Sequence, residues 1–202
     1  MKLVILDRDG TINYERDDYI KSAEEWVPLP GALEAIARLN HAGWHVVVAT
    51  NQSGIGRGLF DMVALNAMHA RMNQLLGRLG GRVEAVFFCP HTPEDHCTCR
   101  KPQPGLFQMI GQRFGVPLHG VPMVGDLPRD VLAAQSVGCE PHLVRTGQAA
   151  TMTEADLVAL RQRVPDLTIH PDLSAFADFV ILRDRRAHGE DGPVTTHMGE
   201  LS

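Results

Sequence analysis

The sequence has no apolar run approaching the ~20 residues that a bilayer-spanning helix needs, so a membrane protein built of helices is excluded. Residues 1–6 are largely apolar, but Asp7-Arg8-Asp9 follows at once, which makes them too short for a signal peptide. Without a targeting segment, the expected compartment is the cytoplasm. There is no basic excess either: Lys and Arg number 19 against 24 Asp and Glu, a net charge of -5. Nonspecific nucleic-acid binding rests on clustered cations, so neither nucleic acid nor membrane is an expected partner. No internal repeat is present. Cysteine is scarce, with four in the chain, yet Cys89, Cys97 and Cys99 fall close together beside histidines. In a cytosolic chain that clustering reads as metal binding rather than disulfides.

What is present is a chain of 202 residues, enough for one domain with a buried core. A single domain is expected over residues 1–182, followed by a polar C-terminal tail over 183–202. A monomer is expected. Short apolar runs alternate with helical patterns. Strands are predicted at Leu3–Leu6, His45–Ala49, Val83–Phe88, Val121–Val124 and His142–Val144. Helices are predicted at Gly31–Ala42, Asp61–Leu79, Pro104–Phe114, Pro128–Val137, Thr153–Arg163 and Asp172–Leu182. The Met and Leu stripe of the second helix reads as core. The alternation implies an α/β fold: a Rossmann-like parallel sheet with helices on both faces.

Ligands bind such sheets at the carboxyl ends of the strands. There the polar residues gather: Asp7-Arg8-Asp9-Gly10-Thr11, then Thr50-Asn51-Gln52-Ser53-Gly54, then Cys89-Pro90-His91, then Gly125-Asp126. Asp7 and Asp9, two residues apart at a strand end, repel when both are ionised and invite a divalent cation or a shared proton. Asp7 can attack phosphorus, and Asp9 can protonate the leaving oxygen and then accept a proton from water. The Thr50 hydroxyl suits a phosphoryl oxygen, Arg100 and Lys101 supply cations, and Asp126 suits magnesium. Asp130, one helical turn on, is either a supporting carboxylate or part of the helix start. Cys89-x-His91 and Cys97-x-Cys99 make a three-sulfur, one-nitrogen set suited to structural zinc. His96 competes with His91 for the fourth place, and the symmetry of the two pairs favours His91. Zinc bound there would gather residues 89–99 into a small loop and fix Arg100 and Lys101 beside the active site.

From Leu3 to about Gly147 this constellation resembles the haloacid dehalogenase superfamily of phosphatases. The four superfamily motifs occur in order as Asp7-x-Asp9-Gly10-Thr11, Thr50-Asn51, Lys101-Pro102 and Gly125-Asp126. The resemblance implies Asp7 as nucleophile, Asp9 as acid and base, and magnesium held by Asp7, Asp126 and the backbone carbonyl of Asp9. The short intervals between motifs leave no room for a large cap domain. Two bacterial groups within the superfamily carry the same Cys-x-His…Cys-x-Cys-Arg-Lys-Pro pattern: heptose-bisphosphate 7-phosphatases and histidinol-phosphate phosphatases. The short His91–Cys97 interval is similar to the second group. The stretch from Thr50 to Phe60 and Leu143-Val144-Arg145-Thr146-Gly147 resemble the first, which is favoured. It implies a sugar bisphosphate substrate on the way to lipopolysaccharide heptose. Gly10, Thr50, Asn51, Gln52, Ser53, Arg57, Arg100 and Lys101 are then the candidate phosphate- and substrate-binding residues, with Arg57 and Arg100 for the second phosphate. The Asn51–Gly58 stretch also resembles polynucleotide 3′-phosphatases, which lack the zinc loop. A catalytically dead zinc-bearing interaction module is disfavoured because every motif residue is present.

Overall fold

Six strands pair in parallel into one sheet in the computed structural model, which describes residues 1–187 and Gly189. In chain order the elements are β1 (Lys2–Leu6), α1 (Ala32–His41), β2 (Trp44–Asn51), α2 (Ser53–Gly56), α3 (Met62–Arg78), β3 (Ala85–Cys89), α4 (Gly105–Phe114), β4 (Pro122–Gly125), α5 (Pro128–Ser136), β5 (Glu140–Val144), α6 (Glu154–Arg163), β6 (Thr168–His170) and α7 (Leu173–Ala187).

Strands β1 and β2 carry uninterrupted apolar runs, Leu3–Leu6 and Val46–Ala49, because both faces of the sheet are covered there. Along β1, Val4 and Leu6 pack with Ile36, Leu39, Met68, Met72 and Phe176 of α1, α3 and α7. Leu3 and Ile5 point the other way, onto Phe107, Ile110, Ala133 and Ala134 of α4 and α5. The predicted stripe of α3 is core at Leu65, Met68, Met72 and Leu76. Asp61 caps that helix, accepting from the Ala64 N–H at 2.9 Å. Thr153 and Asp156 form the expected capping box of α6.

The strand order is β3-β2-β1-β4-β5-β6. The chain first builds outward from β1 on one side, then returns to place β4 on the other. A crevice opens where that order reverses, beyond the carboxyl ends of β1 and β4. Asp7 leaves β1 there, its N–H donating to the Val124 carbonyl at 2.8 Å, and Asp126 leaves β4 beside it.

Three elements differ from expectation. Helix α7 continues to Ala187, five residues into the predicted tail. Arg183 there makes a two-pronged ion pair with Glu140 of β5, and Asp184 receives the Lys2 ammonium, so residues that look like polar tail tie the helix to the sheet. The rest of the predicted tail, Gly189 apart, lies outside the described residues. Strand β6 is too short to leave a pattern, and α2 is hidden by its own glycines, which disfavour helix.

Candidate active site

Four charged side chains are sealed at the β1–β4 crevice. Asp7 is 4 % exposed, Lys101 1 %, and Asp126 and Asp130 are fully buried. The Lys101 ammonium is ion-paired with Asp7 Oδ1 at 2.8 Å and with Asp130 Oδ1 at 2.7 Å, and donates to the Ala49 carbonyl at 2.8 Å. Asp130 uses its other oxygen to accept from the Leu127 N–H at 3.0 Å, closing the start of α5. Asp126 accepts from the Gln148 N–H through Oδ2 at 2.8 Å, while its buried Oδ1 has no partner. One cation thus faces three carboxylates whose oxygens lie within 4.8 Å of one another. Burial, then the Asp130 and Asp7 charges, push the Asp126 carboxyl up to about 9. Burial and Asp130 push Asp7 up to about 6 against the pull of Lys101. A cluster short of positive charge, with an orphaned carboxylate oxygen, fits a hard divalent cation such as magnesium. Asp130 is taken up by the Lys101 ion pair through Oδ1 and by the Leu127 N–H through Oδ2, whereas Asp126 Oδ1 has neither an ion pair nor a hydrogen bond, so Asp7 and Asp126 are the carboxylates with most to offer a cation.

Glycine is required around this cluster. A Cβ on Gly10 (φ +79°) would sit 2.2 Å from Asp126 Oδ2, and one on Gly147 (φ +51°) 2.1 Å from the same atom. Thr146 ties the two loops together, its hydroxyl donating to the Gly10 carbonyl at 2.7 Å.

The Asp9 carboxylate faces away from the cluster and accepts four hydrogen bonds. Oδ1 takes Arg8 Nε at 2.9 Å and Asn13 Nδ2 at 2.9 Å; Oδ2 takes Arg8 Nη2 at 3.1 Å and Gln52 Nε2 at 3.0 Å. Burial raises its proton affinity, but the Arg8 charge and these bonds outweigh it and leave the carboxyl below its ordinary value. Gln52 also donates to the Thr50 hydroxyl at 2.9 Å, linking the ends of β1 and β2.

Asp7, Asp9, Thr50, Asn51, Gln52, Ser53 and Arg100 all line one cleft of about 280 Å³. Asn51 also donates to the Lys101 carbonyl and accepts from the Lys101 N–H, both at 3.1 Å, so it grips the backbone that carries the lysine. Arg57 does not line the cleft; it is largely in solvent, 3.8 Å from Glu94. Arg129, at the start of α5, lines the cleft instead, with a buried Nε lacking any partner. Sequence reasoning misses Arg8, Asn13, Arg129 and Gln148. Arg8 is visible there as a cation between two motif acids, and Arg129 as a cation three residues past Asp126. The loop after β1 supplies Glu15 and Tyr19 to the cleft, and Glu15 accepts from Gln148 Nε2 at 2.8 Å across its mouth.

The sulfur and nitrogen atoms of Cys89, His91, Cys97 and Cys99 also converge. Sulfur–sulfur distances run from 3.1 to 3.6 Å, and His91 Nδ1 lies 3.3 Å from Cys99 and 3.5 Å from Cys89. His96 is outside this set. Three sulfurs and one imidazole nitrogen at the corners of a small tetrahedron fit zinc. The Arg100 N–H points at Cys97 Sγ at 3.4 Å, and its guanidinium donates to the His91 carbonyl at 3.4 Å, so the loop carries Arg100 to the cleft edge. A Cβ on Gly105 would strike the Thr98 carbonyl at 2.5 Å, which shows how closely α4 supports the loop.

Residues 98–175 match the family model described as HAD-hydrolase-like, and residues 2–123 that of polynucleotide kinase 3 phosphatase. The second stops short of Asp126. The chain is 49 % identical over 180 residues to D-glycero-β-D-manno-heptose-1,7-bisphosphate 7-phosphatase of Pseudomonas aeruginosa, covering 89 % of this chain and 97 % of that one. It belongs to that phosphatase family. The heptose-bisphosphate phosphatase of Bordetella bronchiseptica is 56 % identical over 147 residues, covering 73 % of this chain and 82 % of that one. The crystal structure of the Bordetella enzyme complexed with magnesium and phosphate superposes with a TM-score of 0.83, at 48 % identity over 91 % of this chain and 99 % of the other. That of the Burkholderia thailandensis enzyme superposes at 0.65, with 46 % identity over 89 % and 99 %. Membership in the heptose-bisphosphate phosphatase family bears out the parallel α/β fold and the phosphatase reading.

Proposed function

We propose that the protein hydrolyses the C7 phosphate of D-glycero-β-D-manno-heptose 1,7-bisphosphate through a phosphorylated Asp7. The match to enzymes of that name over nearly their whole length carries the reading. The β configuration comes from the names of those relatives. Asp7 attacks phosphorus while Lys101 and Thr50 hold the phosphoryl oxygens. Asp9 gives its proton to the departing C7 oxygen, then takes one from the water that cleaves the acyl phosphate and frees Asp7. A dianionic ester beside Asp9 favours its protonated form, offsetting Arg8 in time for the first step. Magnesium, held by Asp7, Asp126 and the Asp9 backbone carbonyl, supplies charge neutralisation on the phosphoryl group when bound. Zinc in the Cys89, His91, Cys97 and Cys99 loop is structural.

The second phosphate finds Arg100 and Arg129 at the cleft, in place of the Arg57–Arg100 pair expected from sequence. Arg129 raises the cost of the Arg100 charge, after burial itself. Two cations in mutual repulsion favour an anion between them. Ser53 and the α2 backbone are left for sugar hydroxyls. Among the described residues no helix is long and apolar enough to cross a membrane, and the reading is of a monomeric cytoplasmic enzyme. The test is kcat/KM for the heptose bisphosphate beside histidinol phosphate, with phosphorus NMR to identify which phosphate leaves. A clear preference for the bisphosphate and release from C7 are expected; preference for histidinol phosphate rejects the substrate.

A further inference from the structure

Arg8 is fully buried. Its guanidinium faces one carboxylate, Asp9, through two parallel bonds of 2.9 and 3.1 Å. Its remaining nitrogen, Nη1, lies 3.2 Å from His69 Nε2 and 3.9 Å from Met68 Sδ, both on α3. Burial, and then the Arg8 charge, hold His69 down at about 4, so a neutral ring turns its lone pair to the arginine. A buried ion pair is a poor source of stability, because desolvation offsets much of the attraction. A methionine or leucine at position 8 would fill the same space against Met68 without that cost. What an apolar residue cannot supply is a planar fork.

The fork matters for what Asp9 has to do. A carboxylate on a two-torsion side chain at the edge of a cleft is free to swing. Here its inner side is held by Arg8 and by buried Asn13, and only the Gln52 bond comes from a side chain lining the cleft. An incoming leaving oxygen, or a water, can replace Gln52 while Arg8 and Asn13 keep the carboxylate still.

We propose that Arg8, steadied by His69, is a positioning residue that aims the Asp9 carboxylate at the leaving oxygen and then at the attacking water. This rests on the proposed acid–base role of Asp9. The arginine touches no substrate atom, and its effect is on proton transfer rather than on binding. Proton transfer by a placed group contributes about 10²–10⁴-fold in rate, so a carboxylate left loose forfeits part of that factor.

The experiment compares Arg8→Lys, which keeps the charge and loses the fork, with His69→Leu, His69→Gln and Asp9→Asn, in the magnesium-loaded enzyme. Two substrates are used: the heptose bisphosphate, whose alkoxide needs a proton to leave, and p-nitrophenyl phosphate, whose phenolate does not. On the sugar, Arg8→Lys should lower kcat about 30- to 100-fold with KM within about twofold. On the aryl ester it should still release a rapid burst near one equivalent per site, then turn over slowly, because the water step needs Asp9. His69→Leu should lose about fivefold in kcat, one hydrogen bond's worth, and His69→Gln, which keeps an acceptor, should recover most of it. Wild-type kcat on the sugar for Arg8→Lys overturns the proposal. So does an equal loss in burst and turnover with a raised KM, which is the signature of general damage. Wild-type turnover by Asp9→Asn instead rejects the acid–base reading on which the proposal stands.

Discussion

Replacing Asp126 by Asn should destroy turnover and yet make the metal-free protein more stable. Asp126 is buried with Asp7 and Asp130 against the single ammonium of Lys101, and its Oδ1 has no partner. Its carboxyl stands at about 9 instead of 3.8. At pH 7.5 the folded, metal-free site therefore keeps a proton that the unfolded chain has given up. Against a neutral side chain of the same shape, that costs up to about 5 kcal/mol. The neighbouring carboxylates and Lys101 readjust around the substitution, so about 1–3 kcal/mol is the expected gain. Asn keeps an oxygen for the Gln148 N–H, so no hydrogen bond is forfeited. For a chain of this size the gain is roughly 3–10 °C in melting temperature. Because the folded value is raised, the stability associated with Asp126 is present at low pH and drains away as pH rises from about 4 toward 9. The wild-type melting temperature in EDTA should fall over that range more than the variant's. Added magnesium should reverse the order, since it stabilises only a site that binds it. The assay is calorimetry at several pH values in EDTA and in excess magnesium. A variant that melts below wild type in EDTA, or that gains as much from magnesium, would refute the crowded-carboxylate account.

Arg100→Ala or Arg129→Ala should cost the heptose bisphosphate ten- to a hundredfold more in kcat/KM than a generic monophosphate, at about 1.5–3 kcal/mol per charge-assisted contact; Arg57→Ala, out in solvent beside Glu94, should leave that ratio unchanged. Gly147→Ala would put a methyl 2.1 Å from Asp126 Oδ2 and 2.6 Å from the Gly10 Cα; loss of at least about 2 kcal/mol in a denaturant melt is expected, and a neutral result would mean the loop is free to move. His170, on β6, is held down at about 4 by burial and then by His142; its contribution to stability is full above pH 6.5 and is lost as pH falls toward 4, so His170→Gln should flatten the melting curve's pH dependence between those values. Elemental analysis should find about one zinc per chain, and Cys99→Ser should lose both the zinc and the grip on Arg100; a protein purified without chelators and free of zinc would rule out that site.

Much of this was legible in the chain itself. Leu3–Leu6 and Val46–Ala49 are apolar without interruption because both sheet faces are covered, and parallel strands follow from that. Since ligands lie at strand ends, Asp7, Asp9, Thr50 and Asp126 could be singled out by position before any distance was known, and Lys101 by its place directly after the cysteine cluster. The Cys89, His91, Cys97 and Cys99 set was equally plain, because four ligands close together in sequence need little folding to meet. Those features depend on local order, which a sequence states directly.

The remainder depended on residues brought together from afar. Arg8 and His69 are 61 residues apart, and nothing in either neighbourhood says that one will seat the other. Asn51, expected as a ligand for substrate, lines the cleft and also clamps the Lys101 backbone, because β2 and the segment after the cysteine loop run side by side only in the fold. Arg57 and Arg129 change places for the same reason: an arginine's spacing from a motif does not tell which way its loop turns. His142 of β5 and His170 of β6 form a buried pair 3.0 Å apart because strands remote in sequence are neighbours in the sheet. What the amino-acid sequence determined alone was which groups can do the chemistry. Which of them face one another was decided by packing, since contact between distant residues follows from how whole elements bury their apolar faces and not from any local pattern.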